Sequence, residues 1–523
     1  MRIIRHGAIF AALALAAAPA CAAPKHHRKP VKVAQAAEAP AVPGLPPQEA
    51  PPEKPSMTLD EALAIAYETN PELAAAQAGL RANDEEVAKA NGGWRPTISV
   101  GATYGVEKYF FPVAINGGGI IVTGPNAGPK SKAVFGSQTQ IVNGSITDHP
   151  LQGQAVITQP LFRSGRTIAE ISRAKALVRS GRAQLTATEQ TVLFNAATAY
   201  MNVVRDGAIV KLREHNVEVL RRQRDSTQLE FKAGSLTRTD TAQAEARLAT
   251  AQSDLTTARG QLATSRADFM RQIGRPAETL ERKPALPKVP DESDKVLNWA
   301  LRQNPSLLTA QANERAANYA VDDAWGAMGP TLSVQGQYLY SQSALNSVQG
   351  FGADGGSPQA VTNHGVAIIG QLNVPIYQAG VEEASVRQAR ELHAQSKLNV
   401  AVADRQVRDA VETNWATYQS ALGTIESKEA TAKADAIAFE GVSKEQQVGG
   451  RTVLDVLNAE QELLNAQVAL VTSQRDAVVA AYAVLASGGA LTAKSLGLKV
   501  KLYDPLEHYD NDAAAWIGFG GAP

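Results

Sequence analysis

Two short stretches of this 523-residue chain carry residues whose spacing could do chemistry. In the clearer one, residues 446–471, Gly449 and Gly450 precede Thr452 and Asp455. The glycines permit the positive φ that ends one helix, and Thr452 can then cap a second helix that has Asp455 in its first turn. That is a complete structural role for both side chains. In a symmetric oligomer, Asp455 would also become a ring of carboxylates, and such rings select cations.

A fainter copy of this stretch occupies residues 231–256, 215 positions earlier. The offset aligns three residues of the tip with identical ones: Gly449 with Gly234, Thr452 with Thr237, and Asp455 with Asp240. Each copy is therefore predicted to join the end of one long helix to the start of another through a glycine turn. Arg451 has no counterpart in the first copy, where Leu236 stands, so the two tips are not equivalent.

No other set of residues predicts an enzyme site, a metal site or a cofactor. Carboxylate pairs are frequent on the predicted helices, but lysines and arginines surround them, as on a solvated face. Eight scattered histidines and one cysteine leave little for a metal centre. The glycine clusters at 117–119 and 355–356 lack the strand and helix of a phosphate-binding loop. The 51 basic residues balance 51 acidic ones, so nothing indicates nucleic-acid binding.

The N-terminus has the pattern of an export signal. Basic residues precede an apolar run at 8–18, and small residues follow up to Ala22. We predict a cleaved signal peptide at 1–22, with lipidation of Cys21 as the alternative. A proline-rich, extended leader is predicted at 23–56, because its prolines exclude a helix. No later stretch has 18 uninterrupted apolar residues, so the exported protein is expected to be soluble or to cross a membrane as strands.

An internal repeat organises the rest of the chain. Residues 59–100 align with 293–334 at an offset of 234, and from about Pro160 onward the offset is 215. The change of offset means that the first half has extra residues between these two stretches, and we expect them in a loop that is longer in the first half. We therefore predict three segments: a first repeat at 57–290, a second repeat at 291–490 and a C-terminal tail at 491–523.

Each repeat is predicted to begin with two helices separated by an Asn-Pro pair, Asn70-Pro71 or Asn304-Pro305. Proline disfavours helix in the residue before it and starts a new helix well. The second helix is expected to end at Gly92 in the first repeat and before Gly326 in the second.

The hydrophobic period then changes from 3.6 to 2, which predicts strands. In residues 97–108 the apolar side chains share one face: Ile98, Val100, Ala102, Tyr104 and Val106. A second strand begins at Thr331, return strands are expected near 154–159 and 364–374, and loops at about 112–153 and 344–363. Such strands, with one apolar and one small polar face, are typical of a membrane barrel. For any single strand, a soluble hairpin is the alternative.

Very long helices are predicted after each pair of strands. No proline occurs at 161–275 or 376–504, and apolar or small residues recur every seven positions at 171–199 and 248–269. That spacing is typical of a coiled coil. A helix over 167–233 would be on the order of 100 Å long, the length of a rod or a tube wall.

Four strands cannot close a barrel, since small membrane barrels have about eight. A sheet with open edges cannot sit in lipid, so the chain is predicted to share a barrel with copies of itself. The long helices would continue from the strands as a second barrel in the periplasm.

Four features in this order resemble the TolC family of outer-membrane channel proteins. They are the twofold repeat, the NPEL and NPSL breaks, the PLFRSGR and PIYQAGV corners, and the hairpin VGGRTVLDVLNAEQELLNAQ. The resemblance covers residues 57–500. It implies a mixed α and β fold in which a homotrimer builds a twelve-stranded antiparallel barrel, four strands per chain, continuous with a coiled-coil helical barrel closed at its periplasmic end. It also implies a periplasmic adaptor and an inner-membrane transporter as partners.

The resemblance gives the hairpin tips a role as a periplasmic gate. Arg451 matches an arginine of the family that holds the periplasmic entrance closed. That arginine contacts the residues that match Thr239 and Asp240. Asp455 matches a residue that lines the same entrance. Two departures concern this gate. Asn458 replaces a second acidic residue found in some members, and Gln446 replaces a tyrosine. A weaker charge filter and an altered latch are therefore expected, with the second hairpin as the mobile half.

The C-terminal tail is similar to that of type I secretion outer-membrane proteins, through Tyr503-Asp504-Pro505, His508-Tyr509 and Trp516-Ile517-Gly518. This similarity favours protein export, with an ATP-driven transporter in the inner membrane as the expected partner. Two alternatives stay open: a drug or metal efflux duct, and a periplasmic coiled-coil scaffold that never enters a membrane.

Overall fold

A computed structural model of the chain describes residues 56–116, 139–343, 361–512 and 516. The predicted signal peptide, most of the leader and the two glycine clusters lie outside these residues. The helices of the described part are α1 Leu59–Thr69, α2 Pro71–Asn91, α3 Arg166–Lys232, α4 Arg238–Ile273, α5 Ser293–Gln303, α6 Pro305–Ala327, α7 Val381–Gln447, α8 Val453–Ser487, α9 Ala493–Leu496 and α10 Glu507–Asp512. Its strands are β1 Thr97–Tyr104, β2 Glu107–Asn116, β3 Thr139–Asp148, β4 Leu151–Arg163, β5 Thr331–Ser343 and β6 Val361–Asn373.

The Asn-Pro pairs separate helices as predicted. The Asn70 side chain accepts a hydrogen bond from the Glu72 backbone N–H at 2.8 Å and so caps α2, which Pro71 begins. Asn304 caps α6 in the same way. The asparagine supplies the cap and the proline a preset φ, so one dipeptide ends one helix and starts the next. Helix α6 includes Gly326 and ends one residue later, at Ala327.

Four strands form an antiparallel sheet in the order β1-β4-β5-β6, and β2 pairs with β3 as a separate ribbon. The break between β1 and β2 lies at Gly105, whose N–H donates to the Pro150 carbonyl at 3.1 Å. The predicted loop at 112–153 is wrong at 112–116, where β2 continues, at 151–153, where β4 has begun, and over the whole of β3. Its sequence TQIVNGSITD has the glycine and polar content of a loop, but ten residue pairs with β2 hold it as a strand.

The register aligns the apolar residues of the four-stranded sheet on one face, as predicted. One row across the sheet reads Ile98, Ile157, Gly336 and Ile368. The side chains of this face are exposed in the single chain, with Val100 and Ile368 both 80% exposed. The opposite face carries mainly small and polar residues such as Ser99 and Gln337, together with Val156, Leu339 and Ile369.

Helices α3 and α7 each have 67 residues, or roughly 100 Å at 1.5 Å per residue, which confirms the predicted length. Each begins after a glycine with φ near +80°: α3 follows Gly165, two residues beyond the end of β4, and α7 follows Gly380, seven residues beyond the end of β6. Helix α8 is by length and composition the one described helix apolar enough to cross a membrane. Many of its apolar residues pack instead into two clusters with α1, α3, α4 and α7.

Candidate functional site

The two hairpin tips have the same backbone turn. At the first tip Gly234 has φ +82°, and the N–H groups of Gly234 and Ser235 donate to Phe231 and Glu230. At the second, Gly449 has φ +81°, and Gly449 and Gly450 donate to Gln446 and Glu445. Of the two glycines predicted to need a positive φ, only Gly449 has one. The position of Gly450 is filled by Ser235 in the first tip, so this turn accepts a side chain there.

Each tip then starts a helix with a reciprocal cap. The Thr452 backbone N–H donates to the Asp455 carboxylate at 3.0 Å, and the Asp455 N–H donates to the Thr452 hydroxyl oxygen at 3.2 Å. Thr237 and Asp240 form the same pair, at 2.9 and 3.3 Å. Hydrogen bonds from these threonines lower the pKa of Asp455 and of Asp240. Both carboxylates are therefore charged at neutral pH and fixed in direction by the cap.

Arg451 has a partner that the sequence did not predict. Its Nε donates to the Glu445 carboxylate at 2.8 Å, across the turn of its own tip. Within one chain, no hydrogen bond or ion pair among the described residues joins Arg451 to Thr239 or Asp240. The Arg451 side chain is about half exposed, so the guanidinium has open donors for a second acceptor.

The second hairpin is attached to the first one chiefly through α8. Val453 and Leu457 pack into a cluster whose other buried members are Val210, Val217 and Leu220 on α3 and Leu248, Ala251 and Leu255 on α4. Two polar contacts lie beside it. The Asn216 amide donates to the Glu460 carboxylate at 3.0 Å with both residues buried, and Arg247 donates to Asn458 at 3.2 Å.

From the sequence, Asn458 stood out only as a position where some family members have an acidic residue, and no pattern pointed to Asn216, Arg247 or Glu460. No spacing could have paired residues 244 positions apart. In contrast, α7 has no buried residue after Tyr418 in this chain, and Ile437 near its end is 73% exposed. The outer half of α7 is thus held mainly by α8.

The profile of the family described as outer membrane efflux protein matches residues 131–275 and 296–490, more than half of the chain. The chain belongs to this family. Its similarity to the outer membrane efflux protein BepC of Brucella suis biovar 1 (strain 1330) is 32% identity over 465 residues, 88% of this chain and 92% of BepC. The outer membrane protein TolC of Escherichia coli K12 is 24% identical over 362 residues, 68% of this chain and 72% of TolC. The predicted resemblance to TolC channels is confirmed.

A third relative is the alkaline protease secretion protein AprF of Pseudomonas aeruginosa, 25% identical over 297 residues, 56% of this chain and 60% of AprF. Among solved structures, the fold is similar to the CmeC outer membrane channel of Campylobacter jejuni, with a TM-score of 0.66 and 16% identity over 87% of this chain and 89% of CmeC. The outer membrane efflux family consists of channels rather than enzymes, so this chain is an outer-membrane transport protein with a helical periplasmic part.

Proposed function

We propose that three copies of this chain form an outer-membrane channel-tunnel, which gives substrates exit from an inner-membrane transporter through a periplasmic adaptor. The observation that carries this proposal is the amphipathic four-stranded sheet, whose edge strands β1 and β6 each lack a second partner among the described strands. Lipid does not tolerate an open edge, and three such sheets joined edge to edge give twelve strands in a closed barrel.

The strand register supports the predicted twofold repeat. We propose that its two copies occupy residues 57–290 and 291–490, followed by the tail at 491–523. In the first half, Thr97 of β1 lies opposite Thr158 of β4. The repeat equivalent of Thr97, 234 positions later, is Thr331, and that of Thr158, 215 positions later, is Asn373. These two residues also lie opposite each other, in β5 and β6. The β4–β5 contact between the halves therefore serves as a template for the contact between β6 and β1 of the next copy.

Type I protein secretion is the transport route that we favour. AprF is named as a protease secretion protein, as is PrtF of Dickeya chrysanthemi, and the tail resembles that of type I outer-membrane proteins. Drug or metal efflux is the second candidate, because BepC is named as an efflux protein. The exposed apolar face of the sheet argues against a coiled-coil scaffold outside the membrane.

Deleting the gene separates the two routes. Under type I secretion, we expect at least one abundant protein to disappear from the culture supernatant, with restoration by the wild-type gene. Unchanged supernatant proteins together with a several-fold fall in resistance to toxic compounds would instead establish efflux.

We also propose that Arg451, Thr239 and Asp240 form the closed gate between tips of the trimer, with the second hairpin as the mobile half. The exposed Arg451 guanidinium would bind the Asp240 region in addition to Glu445. Engagement of the tips by adaptor and transporter would then break this contact and let α7 and α8 swing outward.

Substituting the latch residues should open the channel. Arg451→Ser and Asp240→Ala are each expected to raise single-channel conductance in planar bilayers severalfold. Thr237→Ala is the matched control, because it removes the cap of α4 and leaves the Asp240 carboxylate in place. Lys444→Ser removes an exposed cation of the same tip that pairs with Glu440. If the latch variants conduct like wild type, or if the controls open the channel equally, the latch proposal is wrong.

Asp455 is proposed to form the cation-selective ring at the entrance. Asp455→Ala should weaken block of the channel by a trivalent cation severalfold, while Thr452→Ala, which keeps the carboxylate, should retain the block. Equal block of Asp455→Ala and wild type would contradict the ring.

A further inference from the structure

A cavity of about 490 Å³ lies beside the junction of the two hairpins, between α3, α4, α8 and the connector from α4 to α5. Its apolar lining includes Met201, Val203, Val204, Leu262, Leu280 and Val471. This volume is in the range of cavities that hold drug-sized molecules, and a mainly apolar lining is typical of them.

The polar lining of the cavity has a strong excess of positive charge. Six cationic side chains line it and one carboxylate does, that of Glu278. Arg205 and Arg475 have acidic neighbours, Asp206 and Asp476. The other four cations form no ion pair or hydrogen bond with the described residues: Lys211, Arg266, Arg282 and Lys283. Cations that have no partner among the described residues and share a cavity with apolar side chains are suited to bind an anionic group whose hydrocarbon body contacts those side chains.

The connector that carries Leu280, Arg282 and Lys283 is fixed in place. The Met57 N–H donates to the Thr279 carbonyl at 2.8 Å, and the Glu281 N–H donates to the Met57 carbonyl at 3.1 Å. The buried Tyr200 hydroxyl donates to the carbonyls of Met57 and Glu281, at 2.8 and 3.2 Å. The wall of the cavity is thus part of the folded core, which lowers the entropic cost of ligand binding.

Gly207 of α3 also lines the cavity, and a Cβ built on it would have no atom within 4 Å. A side chain at this position would therefore project into open space without displacing its neighbours. This glycine offers a way to fill the cavity while the charges around it stay unchanged.

We propose that this cavity binds a small amphiphilic anion, a molecule with an aliphatic or aromatic body and one carboxylate or sulfonate. Arg266 and Lys211 of the first hairpin would bind the anionic group, and Val471 of α8 would contact the apolar body. The bound molecule would touch both hairpins.

Binding of 1-anilinonaphthalene-8-sulfonate to the full chain in lipid nanodiscs tests the proposal, with N-phenyl-1-naphthylamine as the uncharged analogue. We expect one saturable sulfonate site per chain, displaced by laurate, and binding of the analogue at least tenfold weaker. The double variant Lys211→Gln with Arg266→Gln should weaken sulfonate binding about tenfold and leave binding of the analogue unchanged. Gly207→Leu should abolish binding of both probes.

Lys433→Gln, which removes an exposed cation of α7, is the matched control and should bind like wild type. The proposal is overturned if sulfonate binding is non-saturable, or if the double variant and Gly207→Leu bind like wild type. Because the readout is binding and not conductance, a negative result leaves the channel proposal untouched.

Discussion

Asn216→Ala is expected to loosen α8 from the first hairpin by about 2–3 kcal/mol, the usual cost of leaving a buried charged group without its hydrogen-bond partner. Glu460 is 6% exposed and Asn216 4% exposed, so water cannot replace the lost amide. Hydrogen exchange of the α8 amides near Glu460 measures the effect. The free energy of local opening should fall by that amount in the variant.

The matched variants separate the hydrogen bond from simple loss of packing. Asn216→Leu combined with Glu460→Leu removes donor and acceptor together and should be close to neutral, which makes the pair strongly non-additive. Gln461→Ala removes an exposed hydrogen bond to Asn465 on the same helix and should change the opening free energy little. If the changes in opening free energy of Asn216→Leu alone and Glu460→Leu alone add up to that of the double variant, the buried pair does not hold α8.

The same contact should depend on pH. Burial raises the pKa of Glu460, while the hydrogen bond from Asn216 and the charges of His215 and Arg222 oppose this shift. With a raised pKa, the packed state binds the proton more tightly than the detached state. The contact is therefore strongest below about pH 4.3, the ordinary glutamate pKa, and weakens as pH rises through the raised value. Glu460→Gln should remove this dependence.

The helix breaks could be predicted because their cause is local. Asn70 and Asn304 cap the helix that follows them, and the next residue is proline in both cases. Each asparagine also has a role that no local pattern reveals. The Asn70 amide donates to the Gln272 carbonyl at 3.2 Å and the Asn304 amide to the Ser487 carbonyl at 2.9 Å. These bonds satisfy carbonyl groups at the ends of α4 and α8, about 200 residues away.

The features that sequence analysis missed depend on tertiary pairing. Strand β3 is polar and rich in loop-forming residues, and it becomes a strand because β2 supplies its hydrogen bonds. Glu445 could not be assigned to Arg451, since their contact requires the turn at Gly449 to reverse the chain. The candidate gate was thus predictable in its caps, which are local, and not in its ion pair.

A disulfide between copies of the chain is the second large effect that we expect. In the β4–β5 contact, Ile157 lies opposite Gly336. The repeat equivalent of Ile157, 215 positions later, is Leu372 in β6, and the equivalent of Gly336, 234 positions earlier, is Ala102 in β1. The template therefore places Leu372 of one copy opposite Ala102 of the next. Opposed residues in antiparallel strands have Cα atoms about 4.5–5.5 Å apart, within the range of a disulfide. Inside one chain β1 and β6 are three strand spacings apart, roughly 14 Å, which is too far for one.

Oxidation of Ala102→Cys with Leu372→Cys, in a Cys21→Ser background, therefore tests most directly whether the chain closes its barrel with copies of itself. We predict a covalent trimer in outer-membrane fractions on denaturing, non-reducing gels, and only monomer for each single variant. The mismatched pair Ile98→Cys with Leu372→Cys, displaced by roughly 14 Å along β1, should also stay monomeric. If the matched pair gives only monomer, or links no better than the mismatched one, the shared barrel is contradicted.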